Sequence, residues 1–263
     1  MKSILDFARA RLDGRPITVV TAYDVLMARA VAASEADAIL VGDSVAMVVH
    51  GHPSTVHATI EMMCLHTAAV RRGAPELLVI ADLPFLTTRR GIDQAVDAAG
   101  RLIQAGANAV KIEGIDGHAG IIRHLVASGI PVMGHLGLRP QSINQLGGYR
   151  FQGRSPEEAA ELRRDGVATQ QAGAFGLVLE CVPEVLAGAI TAELSIPTIG
   201  IGAGAGTSGQ VLVLTDLLGL DPDFRPRFAR RYLDGHQLVV SSLNRFVADV
   251  RGARFPAREE VSV

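Results

Sequence analysis

Short apolar runs alternate with longer alanine-rich helical stretches along most of this chain, and that alternation restricts the fold more than any other feature. The candidate strands are Ile17–Thr21, Ala38–Val41, Leu77–Ala81, Ala109–Ile112, Pro131–Gly134, Gly176–Leu179 and Pro197–Gly200. Between and after them run helical patterns at Asp24–Ser34, Thr59–Arg72, Gln94–Gln104, Ala119–Ala127, Pro156–Gln171 and Pro183–Leu194. Strand followed by helix, repeated, builds βαβ units and hence a parallel α/β sheet. The chain has 263 residues, and a (β/α)8 barrel commonly needs about 250. An eighth strand is the weak point: Arg227–Tyr232 is the candidate, short and basic. A last helix is expected at Gln237–Val250. The charged tail from about Arg251, carrying Pro256, is expected to fray from a single domain spanning residues 1–263.

Local punctuation agrees. Ser155-Pro156-Glu157-Glu158 supplies a helix cap, a proline at the first helical position and acids at the positive end of the helix dipole. Gly73 and Gly106 follow helical runs, where a left-handed cap is expected.

Composition excludes several functions. A net charge of −2 offers no basic surface for nucleic acid. No apolar run is long enough to span a bilayer, so no membrane partner is expected. The N-terminal stretch Met1–Phe7 has Asp6 inside it and lacks a signal-peptide core, and two cysteines make no disulfide framework. A cytoplasmic location follows as the expectation.

Four of the apolar runs stop at a carboxylate: Asp43, Asp82, Glu113 and Glu180. In a parallel α/β protein the C-terminal strand ends share one face, and that face carries the active site. Hard cations such as Mg²⁺ take oxygen ligands, often one or two carboxylates plus waters and substrate oxygens. Asp43 and Asp82 fit that pattern, with Glu113 joining through water. Lys111 lies two residues before Glu113, so both point into the barrel mouth. A buried lysine needs a partner, and Lys111 is read as an anion binder; a Schiff base or a plain Lys–Glu pair are the other readings. Glu180 ends a buried run, a setting that suits a general acid or base. His135, at another strand end, faces the same rim and can donate to a substrate.

Other motifs are less telling. Cys181 has no sequence-adjacent His–Asn or His–Asp arrangement to make it a nucleophile. His50-Gly51-His52 could bind a metal but lacks neighbouring partners in sequence, so it reads as a loop pair. Gly204-Ala205-Gly206-Thr207-Ser208-Gly209 matches a dinucleotide fingerprint, yet follows the seventh strand rather than the first. The segment Leu136–Arg154 is long and irregular, follows a strand end, and is expected to lie over the site as a lid.

A family resemblance rests on longer stretches. Gly42-Asp43-Ser44, Gly51-His52, Ser54-Thr55, His66–Gly73, Ala81–Phe85, Val110–Gly114, Gly134–Leu138, Pro140-Gln141-Ser142, Gly147-Gly148-Tyr149, Gln152-Gly153-Arg154, Leu179–Pro183 and Ile196–Gly204 occur in order. Together they resemble ketopantoate hydroxymethyltransferases over about residues 3 to 255. The resemblance implies a TIM barrel of the phosphoenolpyruvate mutase/isocitrate lyase type. It implies Mg²⁺ on Asp43 and Asp82 with Glu113 in its coordination sphere, a keto acid held by Ser44 and Lys111, and Glu180 as the proton acceptor. The implied reaction takes a one-carbon unit from 5,10-methylenetetrahydrofolate to 3-methyl-2-oxobutanoate, giving 2-dehydropantoate through a Mg-stabilised enolate. A decameric homo-oligomer is the family's precedent. The chain departs from the family pattern at Val45-Ala46, Val56-His57, Ser208 and Thr215, positions that bear on the folate and on assembly rather than on the acids. Two rival readings are a carbon–carbon lyase of the phosphoenolpyruvate mutase group, for which no cysteine in a Lys/Gly-rich loop is present, and a keto-acid-binding paralogue without catalysis.

Overall fold

Inward-facing residues decide this architecture. In the computed structural model, which describes residues 3–148 and 150–261, eight parallel strands close in chain order, β1-β2-β3-β4-β5-β6-β7-β8. They are β1 Ile17–Thr21, β2 Ala38–Val41, β3 Leu78–Asp82, β4 Ala109–Glu113, β5 Val132–Gly137, β6 Gly176–Glu180, β7 Thr198–Ile201 and β8 Gly209–Leu212. The helices are α1 Ile4–Leu12, α2 Val25–Ala32, α3 Val45–Val48, α4 Ile60–Gly73, α5 Ile92–Gln104, α6 Ala119–Ala127, α7 Ile143–Leu146, α8 Pro156–Gln171, α9 Glu184–Glu193, α10 Leu214–Leu217 and α11 Gly235–Arg251. The chain divides into two compact units, 1–212 and 213–263. The barrel is the first. In the second, Tyr232 N donates to Leu217 O, Arg254 pairs with Asp249 at 2.9 Å, and Phe255 meets Phe246 edge-on.

The eighth strand differs from the sequence expectation. It is Gly209–Leu212, not Arg227–Tyr232, which is irregular. Gly209 explains why a glycine-rich signal hid a strand. A Cβ there would lie 2.2 Å from the Ile17 carbonyl, so only glycine lets β8 pair with β1 at the closing seam, Ile17 opposite Gly209. Gly73 also differs: it is the last residue of α4, and Ala74 caps the helix. Its own constraint is contact, since a Cβ would lie 2.5 Å from Val25 O at the start of α2. Gly106 does adopt the positive φ expected, at 114°.

Because side chains alternate along a strand, one set points into the barrel. Ile17 and Val19, Ala38 and Leu40, Leu78 and Ile80, Ala109, Met133, Val178, Ile199 and Val211 make one apolar cluster. Continuing the alternation one or two steps brings Asp82, Lys111, Glu113, His135 and Glu180 inward above it. Residues Ile4–Leu12, to which the sequence analysis assigned no element, form α1. The Asp6 carboxylate caps its start, accepting from the Ser3 backbone N–H at 3.0 Å and from the Ser3 hydroxyl at 3.3 Å. Its Phe7 and Ala10 join the barrel cluster, and Phe7 packs edge-on against Phe175 at 5.8 Å. The apolar end of the barrel is thus covered by α1, and the polar end holds the acids.

Phe7→Ala should therefore cost stability without touching the polar end. A loss of about 3–5 kcal/mol is expected for a fully buried phenylalanine, read by urea unfolding. A loss below about 1 kcal/mol would show that α1 does not seal the core.

Candidate active site

Five strand ends converge on one buried cluster. Asp43, Asp82, Lys111, Glu113 and His135 are each no more than 8% exposed. Asp82 ends β3, Lys111 and Glu113 sit on β4, His135 on β5 and Glu180 ends β6. Asp43 follows β2, and its backbone N–H donates to Asp82 Oδ2 at 3.0 Å. That approach needs Gly42, where a Cβ would stand 2.8 Å from Ser44 Oγ and 3.6 Å from Asp82 Oδ2.

The ionic order follows from the charges. Lys111 Nζ lies 3.1 Å from Asp82 Oδ1 and 3.0 Å from His135 Nδ1. An ammonium only donates, so Nδ1 accepts there when the imidazole is neutral. His135 Nδ1 is also 3.5 Å from Glu113 Oε1, and Nε2 is 3.2 Å from Glu180 Oε2. Burial opposes the charge on Lys111, but the carboxylates of Asp82, Glu113 and Asp43 outweigh it and hold the ammonium pKa above the ordinary range. A Schiff base needs the free amine, so this setting favours Lys111 as an anion binder over Lys111 as a nucleophile.

The remaining shifts are of both signs. Burial, then the charges of Asp82 and Glu113, push Asp43 well up. Burial would also raise Glu113, but its contacts with His135, the Lys111 charge and the Gln141 amide bring it below the usual carboxylate value. Burial and Lys111 press His135 down, yet Glu113 and Glu180 more than offset them and raise it. Burial pushes the Cys181 thiol up to about 12, which agrees with the sequence reading that it is no nucleophile.

Two residues without a role in the sequence analysis join the site. Gln141 donates through Nε2 to Asp43 Oδ2 at 2.8 Å and to Leu83 O at 3.0 Å, and its backbone N–H donates to Glu113 Oε2 at 3.1 Å. It stands in a 3₁₀ turn at Pro140–Ser142, within the segment expected to form a lid; Tyr149 of that segment lies outside the described residues. Tyr23 places its hydroxyl 2.8 Å from Ser44 Oγ. Its signal was available, because it follows β1 as the acids follow their strands. The glycine loop after β7 is tied to α9, the helix that precedes that strand: Ala205 N donates to Glu184 Oε1 at 3.2 Å, and a Cβ on Gly204 would meet Glu184 Cγ at 2.3 Å.

The donor set suits a hard cation. Asp43, Asp82 and Glu113 offer carboxylate oxygens, and buried Asp82 Oδ1 has no well-aligned hydrogen bond despite the nearby ammonium. Among the described residues, no three His, Cys, Asp or Glu side chains already form a metal cage.

The model of the ketopantoate hydroxymethyltransferase family matches residues 2–258. The chain belongs to that family. It is 50% identical over 260 residues to a 3-methyl-2-oxobutanoate hydroxymethyltransferase of Bdellovibrio bacteriovorus, covering 99% of both chains. It is 51% identical over 257 residues to the enzyme of that name from Legionella pneumophila, covering 97% of this chain and 98% of that one. Among solved structures, phosphonopyruvate hydrolase in complex with oxalate and Mg²⁺ shares the fold at TM-score 0.64 and 14% identity, over 99% of this chain and 93% of that one. 2,3-Dimethylmalate lyase, of the phosphoenolpyruvate mutase/isocitrate lyase superfamily, shares it at TM-score 0.58 and 20% identity, over 96% and 99%. The barrel type is therefore the one the resemblance implied, and this member of a hydroxymethyltransferase family carries its acids at the polar barrel end.

A raised His135 pKa has a definite sign for stability. Its contribution is full below the unfolded imidazole value of about 6.5 and fades as pH rises through the higher folded value. His135→Gln should thus destabilise more at pH 5.5 than at pH 8.5, read by urea unfolding at both pH values. An equal loss at both would mean that His135 stays neutral in the folded protein.

Proposed function

We propose that this chain transfers a hydroxymethyl group from 5,10-methylenetetrahydrofolate to 3-methyl-2-oxobutanoate, forming 2-dehydropantoate. The family match across residues 2–258 carries this reading, and the buried cluster of acids with one lysine supports it. Asp43 and Asp82 would hold Mg²⁺, with Glu113 reaching it through water. When bound, the ion supplies Lewis acidity toward the substrate's keto and carboxylate oxygens, lowering the cost of removing the neighbouring proton.

The chain's own groups do the rest. Lys111, fixed as an ammonium by Asp82, neutralises the substrate carboxylate, and Ser44, steadied by Tyr23, donates to it. His135 Nε2 is buried without an aligned partner, so it can donate to a substrate oxygen. Glu180 is more open than its neighbours, with 15% of its side chain exposed against 3% for His135. That greater exposure supports Glu180 as the group that would exchange a proton with the incoming one-carbon unit. Apolar positions on α11, Val239, Leu243, Phe246 and Val250, are exposed at helical spacing. They support a homo-oligomer, which with a cytoplasmic location completes this reading.

Asp43→Ala and Asp82→Ala should each abolish Mg²⁺-dependent binding of the keto acid; Asp82→Ala also leaves the buried Lys111 ammonium without its partner and should cost stability, so Asp43→Ala is the cleaner variant. Calorimetric titration of the keto acid with and without Mg²⁺ checks this, and full-strength binding by either variant would remove the metal assignment. Glu180→Gln keeps shape but loses the proton acceptor. Turnover should fall by about 10²–10⁴ with keto-acid binding near wild type. Deuterium exchange beside the keto group, followed by NMR, separates the steps. Exchange that survives puts Glu180 on the transfer step, and exchange that collapses makes it the enolising base. Unchanged turnover would leave Glu180 without a catalytic role.

A further inference from the structure

Four of the chain's 8 histidines fall between positions 50 and 66, and none takes part in the chemistry above. Folding supplies the partner that His50-Gly51-His52 lacks in sequence. His66, on α4, brings its Nε2 to 2.8 Å from Nε2 of His50, which follows α3. The two rings meet edge-on with centroids 5.1 Å apart. His52 and His57 lie beside them as a second, stacked pair at 4.9 Å.

The tautomers are set by the backbone. His66 Nδ1 is 2.6 Å from the Tyr23 carbonyl, which can only accept. Nδ1 therefore carries the proton, and the Nε2 lone pair points at His50. A ring N–H bonded to a carbonyl, with the opposite nitrogen bare, is how metal-binding histidines are oriented. His50 is exposed and free to present its own Nε2 lone pair by shifting its proton to Nδ1.

We propose that His50 and His66 form a two-imidazole site for a borderline divalent transition metal, with Zn²⁺ as the representative ion. It is separate from the carboxylate cluster. Imidazole nitrogens select Zn²⁺, Ni²⁺ or Cu²⁺, whereas carboxylate oxygens suit Mg²⁺. A tetrahedral ion with Zn–N bonds of about 2.0–2.1 Å holds two nitrogens about 3.3 Å apart, so the pair must open by about half an ångström. No third His, Cys, Asp or Glu among the described residues is already in range, and water completes the coordination. Bound there, the ion ties the turn after α3 to α4 and, through His66, to the backbone of Tyr23. Tyr23 in turn holds Ser44, so the ion would brace the turn that carries Asp43 and Ser44.

The test uses the full chain with Zn²⁺ alone as probe, by equilibrium dialysis against chelator-buffered Zn²⁺, with excess Mg²⁺ added to compete for the carboxylates. The wild type should retain one Zn²⁺ per chain. His50→Gln should weaken retention by about 10-fold or more, since losing even an outer partner of a ligand costs about 10–100-fold. Copper(II) electron paramagnetic resonance on the wild type should show splitting from two imidazole nitrogens, a readout that does not depend on any variant folding. Unchanged retention in His50→Gln, no retained Zn²⁺ in the wild type, or copper spectra without imidazole nitrogen would each overturn the site and leave a hydrogen-bonded pair.

Discussion

The contact between Lys111 and Asp82 organises the polar half of this molecule. Both are buried, and their charged atoms stand 3.1 Å apart. Taking either charge out of water alone is costly, so each requires the other. The remaining groups arrange around that pair. Asp82 spends its second oxygen on the Asp43 amide, which fixes the turn after β2. With the imidazole neutral, Lys111 spends a second N–H on His135, which links β4 to β5 with Nε2 beside Glu180. A lysine-to-arginine exchange would not preserve this, because a planar fork cannot replace a compact ammonium between an acid and an imidazole.

The barrel provides the frame that makes such a pair tolerable. Its lower interior is aliphatic, closed at the end by Phe7, and contributes hydrophobic stability without a polar group. The charged layer above is set by the same alternation that builds the apolar one. Stability and chemistry are thus divided along the strand axis. The protein can hold mutually repelling carboxylates because the free energy that keeps it folded comes from elsewhere. An excess of acids over bases in that layer is also what makes it receptive to a cation.

The His50–His66 pair shows how differently two candidate ion-binding chemistries are encoded. The carboxylates announce themselves, since each terminates an apolar run. The imidazoles do not: His66 is 16 residues from His50 in sequence, and only the packing of α4 beside the turn after α3 brings them together. Spacing along the chain therefore finds strand-end sites readily and helix-to-loop sites poorly.

The same division applies to the whole reading. Seven strands, most helix bounds and the acids Asp43, Asp82, Glu113 and Glu180 were legible because a buried strand must be apolar until it reaches the rim. β8 was not, because its first residue had to be glycine to clear the Ile17 carbonyl, so the strand opens on the last residue of a glycine-rich loop signal. Helix α1 was missed because its role is to cover a barrel end that exists only after the strands close. Gln141 had no assigned function for a related reason: its turn is local, but the Asp43 carboxylate it meets lies 98 residues away. Periodicity determined which side chains face inward. Only closure of the barrel decided which of them touch, and so which acids are raised, which are lowered and where the lone ammonium stands.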